Sequence, residues 1–272
     1  MPRLMASLYM RPLYLASATA PATRRDQILH AAKAGFDGVG LRCDREPPSA
    51  SEVKELQRVL ADTGLSVLDI EVIRVGTEQT GITSALFDVA AALGARSILT
   101  VSDSLDRSQT VNRLGELAEL AAKSGLTIAL EFMSFTSVKT LDDAIGVVAE
   151  VGRPEIRLLP DVLHVVRSGS TMDMLSTVRH LIDYVQLCDA PSKSPGDIEQ
   201  LIHEARYERL MPGAGQLDLA SFLRNVPLSP VSVEVQSSFL QKTITPLEIA
   251  HLAYRSTREI LEQLDNPEVR NA

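Results

Sequence analysis

The chain has 272 residues, of which 45% are hydrophobic and 23% are charged, so it can form a large core beneath a charged surface. Its net charge of −8 and its scattered basic residues argue against binding to nucleic acid or to an anionic membrane, because both need clustered lysine and arginine. Cys43 and Cys188 are too few and too far apart for a disulfide framework, which favours reduced thiols in a cytoplasmic protein. Arg3 and Arg11 interrupt the mildly apolar N-terminus, so we predict neither a signal peptide nor a transmembrane helix.

Strand-like and helix-like stretches alternate along the chain. The strand-like runs are short and apolar, whereas the helix-like stretches repeat apolar side chains every three or four residues, as Val53, Leu56 and Leu60 do. Glycines such as Gly35 and Gly64 follow the helix-like stretches, where a left-handed residue commonly ends a helix. In chain order, the pattern predicts strands at 4–16, 36–43, 65–73, 95–102, 126–132, 155–161, 183–191 and 231–235, and helices at 24–34, 49–63, 80–93, 109–123, 140–151, 171–179 and 246–264.

The alternation predicts the fold class. A helix between two strands returns the chain to the same end of the sheet, so the strands must be mostly parallel. Eight strands in this arrangement favour α/β architecture with a single-domain (β/α)8 TIM barrel over residues 1–272. An open doubly wound sheet is the alternative, but no glycine-rich phosphate-binding turn follows the first strand.

Polar residues occupy the ends of the last four predicted strands. In a TIM barrel these ends converge on the active site, so Glu131, Asp161, Gln186 and Glu234 are expected to face one another. Each residue alone would most simply be a helix cap, half of an ion pair or a polar strand residue. Together, however, the buried acids would repel one another strongly without a cation. Carboxylate and amide oxygens are hard ligands, so we predict a divalent metal site.

Five segments resemble the xylose isomerase-like TIM barrels, a superfamily that includes sugar epimerases and an endonuclease family. They are LEFMSF, LPDVLHVVRSG, YVQLCDAP, RLMPGAGQLDL and SVEVQ, and the resemblance extends from about residue 24 to residue 264. It implies a metal ring of Glu, Asp, His and Glu, which falls here on Glu131, Asp161, Gln186 and Glu234. The chain therefore departs from the pattern at Gln186.

The glutamine at this position limits which metal ions and which branches of the superfamily we expect. An amide oxygen is harder than an imidazole nitrogen, which favours Mn²⁺ or Mg²⁺, with Co²⁺ as a further option, over Zn²⁺. Members that resemble hydroxypyruvate isomerase and bacterial 3-dehydroshikimate dehydratase also carry Gln at this position. QLCDAP and PGAGQLDLASFL look closest to the dehydratase branch, whereas LEFMSFT matches that branch less well.

The metal ring predicts chemistry on a small polyhydroxy carbonyl compound. A divalent ion can stabilise the enediolate that forms when a neighbouring C–H bond loses its proton. Our first hypothesis is an isomerase or epimerase of a keto-sugar or hydroxy-carbonyl compound, and the second is a 3-dehydroshikimate-type dehydratase. The resemblance to the epimerases implies that Glu131 and Glu234 are acid-base residues as well as ligands. The alternative from another class is a barrel that binds a metabolite without turnover.

Further side chains are candidates for contact with the substrate. The family pattern implies that His164 lies beside the substrate and that Arg209 contacts it. The simpler alternatives are a histidine whose polar atoms are satisfied within the protein and an arginine in a solvated loop. Arg42, Glu71 and Arg74 lie near the ends of the second and third strands and could bind polar substrate groups. The acidic composition argues against an endonuclease, which would need a basic groove. A homo-oligomer is compatible with the sequence, which does not define its interface.

Overall fold

Parallel β-strands form the centre of the protein, which a computed structural model describes over residues 11–77 and 81–265. Within these residues the sheet has eight strands, and β1 pairs with both β2 and β8, so the sheet curves into a barrel. This confirms the predicted single-domain (β/α)8 architecture. The strands are β1 (Leu13–Leu15), β2 (Gly38–Arg42), β3 (Ser66–Val75), β4 (Ser97–Ser102), β5 (Thr127–Glu131), β6 (Ile156–Leu159), β7 (Val185–Leu187) and β8 (Val231–Val233).

Helices connect the strands and cover the outside of the barrel. None of those described is both long enough and apolar enough to cross a lipid bilayer. They are α1 (Arg24–Ala34), α2 (Ala50–Thr63), α3 (Ile82–Leu93), α4 (Arg107–Ser124), α5 (Leu141–Val151), α6 (Val162–Arg167), α7 (Met172–Thr177), α8 (Ile198–Tyr207), α9 (Leu219–Asn225), α10 (Ser238–Thr243) and α11 (Pro246–Asp265).

The helices α1 to α5 all end at a glycine with a positive φ, as the glycine pattern predicts. The φ values range from 63° at Gly152 to 101° at Gly35. Residues with a Cβ atom adopt this conformation at a cost, whereas glycine does not, so each helix stops where the sequence places the glycine. The bounds of these five helices consequently agree with the predicted ranges to within two residues.

The largest differences from the prediction occur in the second half of the chain. The helices α6, α8, α9 and α10 are additional, and the helix predicted at 171–179 is shortened to α7. The strand predicted at 155–161 ends at Leu159, because Pro160 lacks a backbone donor and Asp161 caps α6 with its side chain. The first strand is shorter than predicted, and residues 4–10 of that prediction lie outside the described residues.

The barrel closes between β6 and β7 with fewer contacts than elsewhere. Only isolated parallel bridges, Leu158 to Ile182 and Asp161 to Gln186, join these strands within the described residues. The backbone N–H of Gln186 donates to the Pro160 carbonyl at 3.0 Å, which sets the register at the carboxyl end of the strands. The closure therefore places Asp161 directly beside Gln186.

Two layers of apolar side chains hold the barrel. The larger layer lies between the strands and the helices and includes Leu13, Ile28 and Leu114. The smaller layer fills the inside of the barrel, where Leu99, Tyr184 and their neighbours are almost completely buried. The filled interior leaves the carboxyl ends of the strands as the place for a site, as in other barrels of this architecture.

Asp183 connects three strands at the opposite end of the barrel, and its loss should destabilise the fold. The buried carboxylate accepts hydrogen bonds from Arg96 at 2.6 and 2.9 Å, from Thr127 at 2.6 Å and from the Ser97 hydroxyl. We expect Asp183→Ala to lower the free energy of unfolding by about 2 to 3 kcal/mol, because the donors of a charged hydrogen-bond network lose their acceptor. Urea denaturation measures this change.

The exposed Asp62 on α2 provides the control for this prediction. Asp62→Ala should change the free energy of unfolding by no more than about 0.5 kcal/mol. A similar small change for Asp183→Ala would show that the network contributes little to stability.

Candidate active site

The four predicted metal ligands lie at the carboxyl end of the barrel. Glu131 is the last residue of β5, Asp161 caps α6 directly after β6, Gln186 is in β7 and Glu234 follows β8. All four side chains are buried. Asp161 lies beside Gln186 through the barrel closure, and Arg209 contacts both Asp161 and Glu234. The fold thus brings these four positions around one point, although their roles as ligands stay predictions.

Gln186 carries the clearest sign that this group of side chains binds something. Its amide oxygen and its amide nitrogen are both buried, and neither has a hydrogen-bond partner among the described residues. A buried amide without partners costs free energy, and a bound ion or water would satisfy it. The other donors of the group are mainly carboxylate oxygens, with the His164 imidazole beside them, and an oxygen-rich set suits a hard divalent ion. The residues present therefore fit the predicted ion.

Arg209 lies among the acids rather than in a solvated loop. Its side chain is 2% exposed, and its Nη1 donates to Asp161 Oδ2 at 2.5 Å and lies 3.2 Å from Glu234 Oε2. Its Nε donates to the Ala205 carbonyl at 2.7 Å, which anchors the guanidinium to the end of α8. One buried cation therefore balances part of the negative charge of the site. A contact with substrate, which the family resemblance implies, stays a prediction.

The protonation of the three carboxyl groups differs because Arg209 is unequally close to them. Burial and the neighbouring charges of Glu234 and Asp161 raise the pKa of Glu131 well above its ordinary value. Burial also raises the pKa of Glu234, to about 7, although Arg209 opposes this effect. Burial acts on Asp161 in the same direction, but Arg209 and His164 outweigh it and lower the pKa of that carboxyl. Asp161 is thus the most firmly ionised acid of the three.

His164 lies beside Glu131 and Arg209 on α6. Its Nε2 is 3.6 Å from Glu131 Oε1 and 3.5 Å from Arg209 Nη2, and its ring packs edge-on against Phe135. Burial lowers the pKa of His164 to about 4, so the imidazole is neutral at neutral pH. The donor atoms of Glu131, Asp161 and His164 lie within 4.8 Å of one another. A neutral imidazole in this place can accept a proton or contribute a nitrogen ligand.

A cavity of about 490 Å³ opens above these side chains. Arg42, Glu71 and Arg74, the side chains predicted to bind polar substrate groups, line it. Glu131, His164, Arg209 and Glu234 line it as well. Arg42 is held by Asp44 at 2.9 Å, and Arg74 is held by Asp103 at 3.2 Å. The cavity therefore brings all the predicted catalytic and substrate-binding residues to one space, and their roles stay predictions.

Sequence reasoning missed two further arginines and the helix that carries one of them. Arg45 follows β2, and Arg206 lies on α8, and both are exposed side chains that line the cavity. The amphipathic pattern of IEQLIHEARY after a capping Asp197 was the available signal for α8. Arg167 holds this helix through a buried pair with Glu204, at 2.7 and 2.8 Å.

Comparison with known proteins identifies relatives that cover most of the chain. Residues 28–238 match the family model described as xylose isomerase-like TIM barrel. A curated 3-dehydroshikimate dehydratase from Pseudomonas aeruginosa is 28% identical over 240 residues, which cover 81% of this chain and 37% of that protein. A protein of the same name from Pseudomonas putida is 26% identical over the same shares. The chain thus spans little more than a third of the length of these curated relatives.

Solved structures support the same fold. A fusion of a xylose isomerase-like TIM barrel with 4-hydroxyphenylpyruvate dioxygenase superposes with a TM-score of 0.81 at 22% identity, covering 96% of this chain and 44% of the other. The IolI protein with a bound zinc atom also has a TM-score of 0.81, at 21% identity, covering 94% of this chain and 99% of the other. At these identities the similarity concerns the fold.

Proposed function

Because this chain belongs to the xylose isomerase-like TIM barrel family, we propose that it is a divalent-metal-dependent enzyme acting on a small hydroxy ketone. Within that class we propose the dehydration of an anionic substrate of the 3-dehydroshikimate type. The observation that carries this choice is that several arginines line the cavity. The sequence by itself favoured isomerisation or epimerisation, and the arginines favour the dehydratase because they suit a substrate that bears a carboxylate.

The arginines that line the cavity fall into two groups, those that pair with acidic side chains of the described residues and those that do not. Arg209 is engaged with the buried acids, and Arg42 and Arg74 each have one carboxylate partner. Arg45 and Arg206 lie exposed at the opening, and no ion pair joins either of them to a described residue. A guanidinium group binds a carboxylate through two parallel hydrogen bonds, so these two side chains suit an acidic substrate better than a neutral sugar. The curated relatives named 3-dehydroshikimate dehydratase agree with this choice.

The residues that would hold the metal are Glu131, Asp161, Gln186 and Glu234, with His164 close enough to add a nitrogen. Their oxygen-rich donor set favours Mn²⁺ or Mg²⁺, with Co²⁺ as a substitute. When bound, a divalent ion polarises a substrate carbonyl group and stabilises the negative charge that develops on it. The IolI structure carries zinc, so the identity of the native metal is part of the proposal.

The chain's own residues supply the proton transfers. We assign the removal of the proton next to the carbonyl group to His164, which is neutral, buried and among the residues that line the cavity. Dehydration then breaks the bond between the β-carbon and its hydroxyl oxygen, and the oxygen leaves as water after it gains a proton. Glu131 lies 3.6 Å from the His164 ring and can receive the proton that the imidazole takes up.

A direct assay tests the dehydratase proposal. Incubation of the Mn²⁺-loaded protein with 3-dehydroshikimate should produce the ultraviolet absorbance of an aromatic product. The same protein treated with a chelator is the matched control, and it should produce no absorbance. A metal-loaded protein that causes no rise in absorbance would rule out this dehydration.

Isomerisation or epimerisation is the second candidate, and one observation favours it. Glu131 ends β5, Glu234 follows β8, and both carry a raised pKa, as suits two carboxyl groups that exchange protons with a substrate. Incubation of keto-sugars in heavy water should then incorporate deuterium into recovered substrate or product. Binding without exchange, unaltered in Glu131→Gln and Glu234→Gln, would support a barrel that binds a metabolite without turnover.

A cytoplasmic location and a homo-oligomeric state remain predictions.

A further inference from the structure

Asp69 and Glu71 form a pair of buried acids that the metal ring does not explain. They are two residues apart on β3, and both side chains turn towards Gly40 on the neighbouring strand β2. Asp69 is fully buried and Glu71 is 4% exposed. Glu71 also lines the substrate cavity, whereas Asp69 lies one step deeper in the barrel beside Tyr184. The pair thus extends from the cavity into the barrel interior.

Each carboxyl group has one satisfied oxygen and one oxygen without a partner. Tyr184 donates its hydroxyl hydrogen to Asp69 Oδ2, and the Ser17 hydroxyl donates to Glu71 Oε2 at 2.6 Å. Asp69 Oδ1 and Glu71 Oε1 are buried and have no hydrogen-bond partner among the described residues. A Cβ atom on Gly40 would lie 2.3 Å from the first and 3.0 Å from the second. The two unsatisfied oxygens therefore border the same space, which the glycine leaves open.

Two ionised carboxylates could not share this space without a large cost. The neighbouring charges that act most strongly on Asp69 are those of Glu71, Glu234 and Asp183, all of which are acidic. A single proton on one of these two oxygens reduces the repulsion between the carboxyl groups, and a hydrogen bond from it to the other oxygen would satisfy both. Arg42 and Ser17 favour the ionised form of Glu71, so Asp69 is the better proton holder of the two.

We propose that Asp69 and Glu71 share one proton and that Glu71 delivers it to the hydroxyl group that leaves the substrate. This role rests on the proposed dehydration. As the bond from the β-carbon to oxygen breaks, its electron pair goes to the oxygen, which takes the proton from Glu71 and departs as water. The electrons of the broken C–H bond form the new double bond, and solvent then returns a proton to the acid pair. Repulsion between the two carboxylates keeps the pair protonated between turnovers.

Infrared difference spectroscopy on the metal-loaded, substrate-free protein tests the shared proton. The difference between wild type and Asp69→Asn at neutral pH should contain the stretch of one protonated carboxyl group. Glu71→Gln, whose amide oxygen can still accept from Ser17, should shift the same stretch and serves as the second variant. Asp62→Asn is the control, because Asp62 is exposed on α2 and lies outside the acid pair. Absence of a protonated carboxyl from both difference spectra would overturn the proposal.

Kinetics with a changed leaving group tests the delivery of the proton. Glu71→Gln should lower kcat on 3-dehydroshikimate by about 100-fold or more, as expected for loss of a general acid. The same variant should act almost normally on an analogue with fluoride in place of the leaving hydroxyl, because fluoride departs without a proton. Equal losses on both compounds would overturn the delivery role. A wild-type protein that eliminates neither water from 3-dehydroshikimate nor fluoride from the analogue would refute the proposed function and the delivery role together, while the infrared spectrum alone decides the shared proton.

Discussion

Arg209→Gln should destabilise the metal-free protein at neutral pH by about 3 to 5 kcal/mol, because it removes the cation of a buried ion pair. Arg209 is the guanidinium that contacts both Asp161 and Glu234, and all three side chains are buried. Without it, the acids of the ring face one another with no counter-charge. Urea denaturation in the presence of a chelator measures the change in the free energy of unfolding.

The loss of unfolding free energy in Arg209→Gln, called the deficit below, should depend on pH. This dependence follows from the pKa of Asp161, which the native protein lowers. A lowered native pKa contributes stability above the pKa of the unfolded chain, and this contribution is lost as pH falls through the native pKa. Arg209→Gln removes the contribution, so the deficit should be largest at neutral pH and should narrow as the carboxyl groups become protonated. Saturating Mn²⁺ should also reduce it, since the ion supplies positive charge at the same acids.

The exposed Arg206 is the matched control for this variant. Arg206→Gln removes the same charge from the same region and should change the free energy of unfolding by no more than about 0.5 kcal/mol. If Arg209→Gln were as stable as Arg206→Gln in the chelator, Arg209 would not be the counter-ion of the buried acids.

Gln186→Leu should weaken Mn²⁺ binding by at least about 100-fold, the upper end of the effect seen when a residue that only supports a ligand is lost. Leucine has a similar volume but offers no donor atom. Because the Gln186 amide is unsatisfied within the described residues, the metal-free variant should be at least as stable as wild type. Electron paramagnetic resonance of free Mn²⁺ measures affinity, and thermal unfolding in chelator measures stability.

The combination of the two measurements separates a ligand from a structural residue. Gln216→Leu, at an exposed position away from the ring, is the control and should keep the affinity of wild type. A Gln186→Leu protein that retained Mn²⁺ affinity but lost stability would show that Gln186 packs the strand and does not bind the ion. Gln186→His should retain a metal and shift the preference towards Zn²⁺, because imidazole is the softer ligand.

Local pattern explains why so much of the fold could be predicted. The helices α1 to α5 depend on apolar periodicity and on a terminal glycine, and both features can be recognised in the local sequence of each helix. Glu131 and Glu234 could be placed because each acid directly follows an apolar strand run. The helix α8 escaped prediction because it lies in the long connection between β7 and β8, where Arg167 fixes it through a buried pair with Glu204.

The sequence alone determined the barrel, the four polar strand ends and the resemblance that fixes the family, because strand alternation and strand-end chemistry are local. Only the tertiary structure placed Arg209 among the acids, left the Gln186 amide without a partner and brought Asp69 and Glu71 together over Gly40. Those arrangements depend on the register of neighbouring strands and on the path of a long connection, both set by packing between distant segments. Burial makes these contacts decisive, because the protonation of a buried acid and the hydrogen bonding of a buried amide depend on the few groups that surround them.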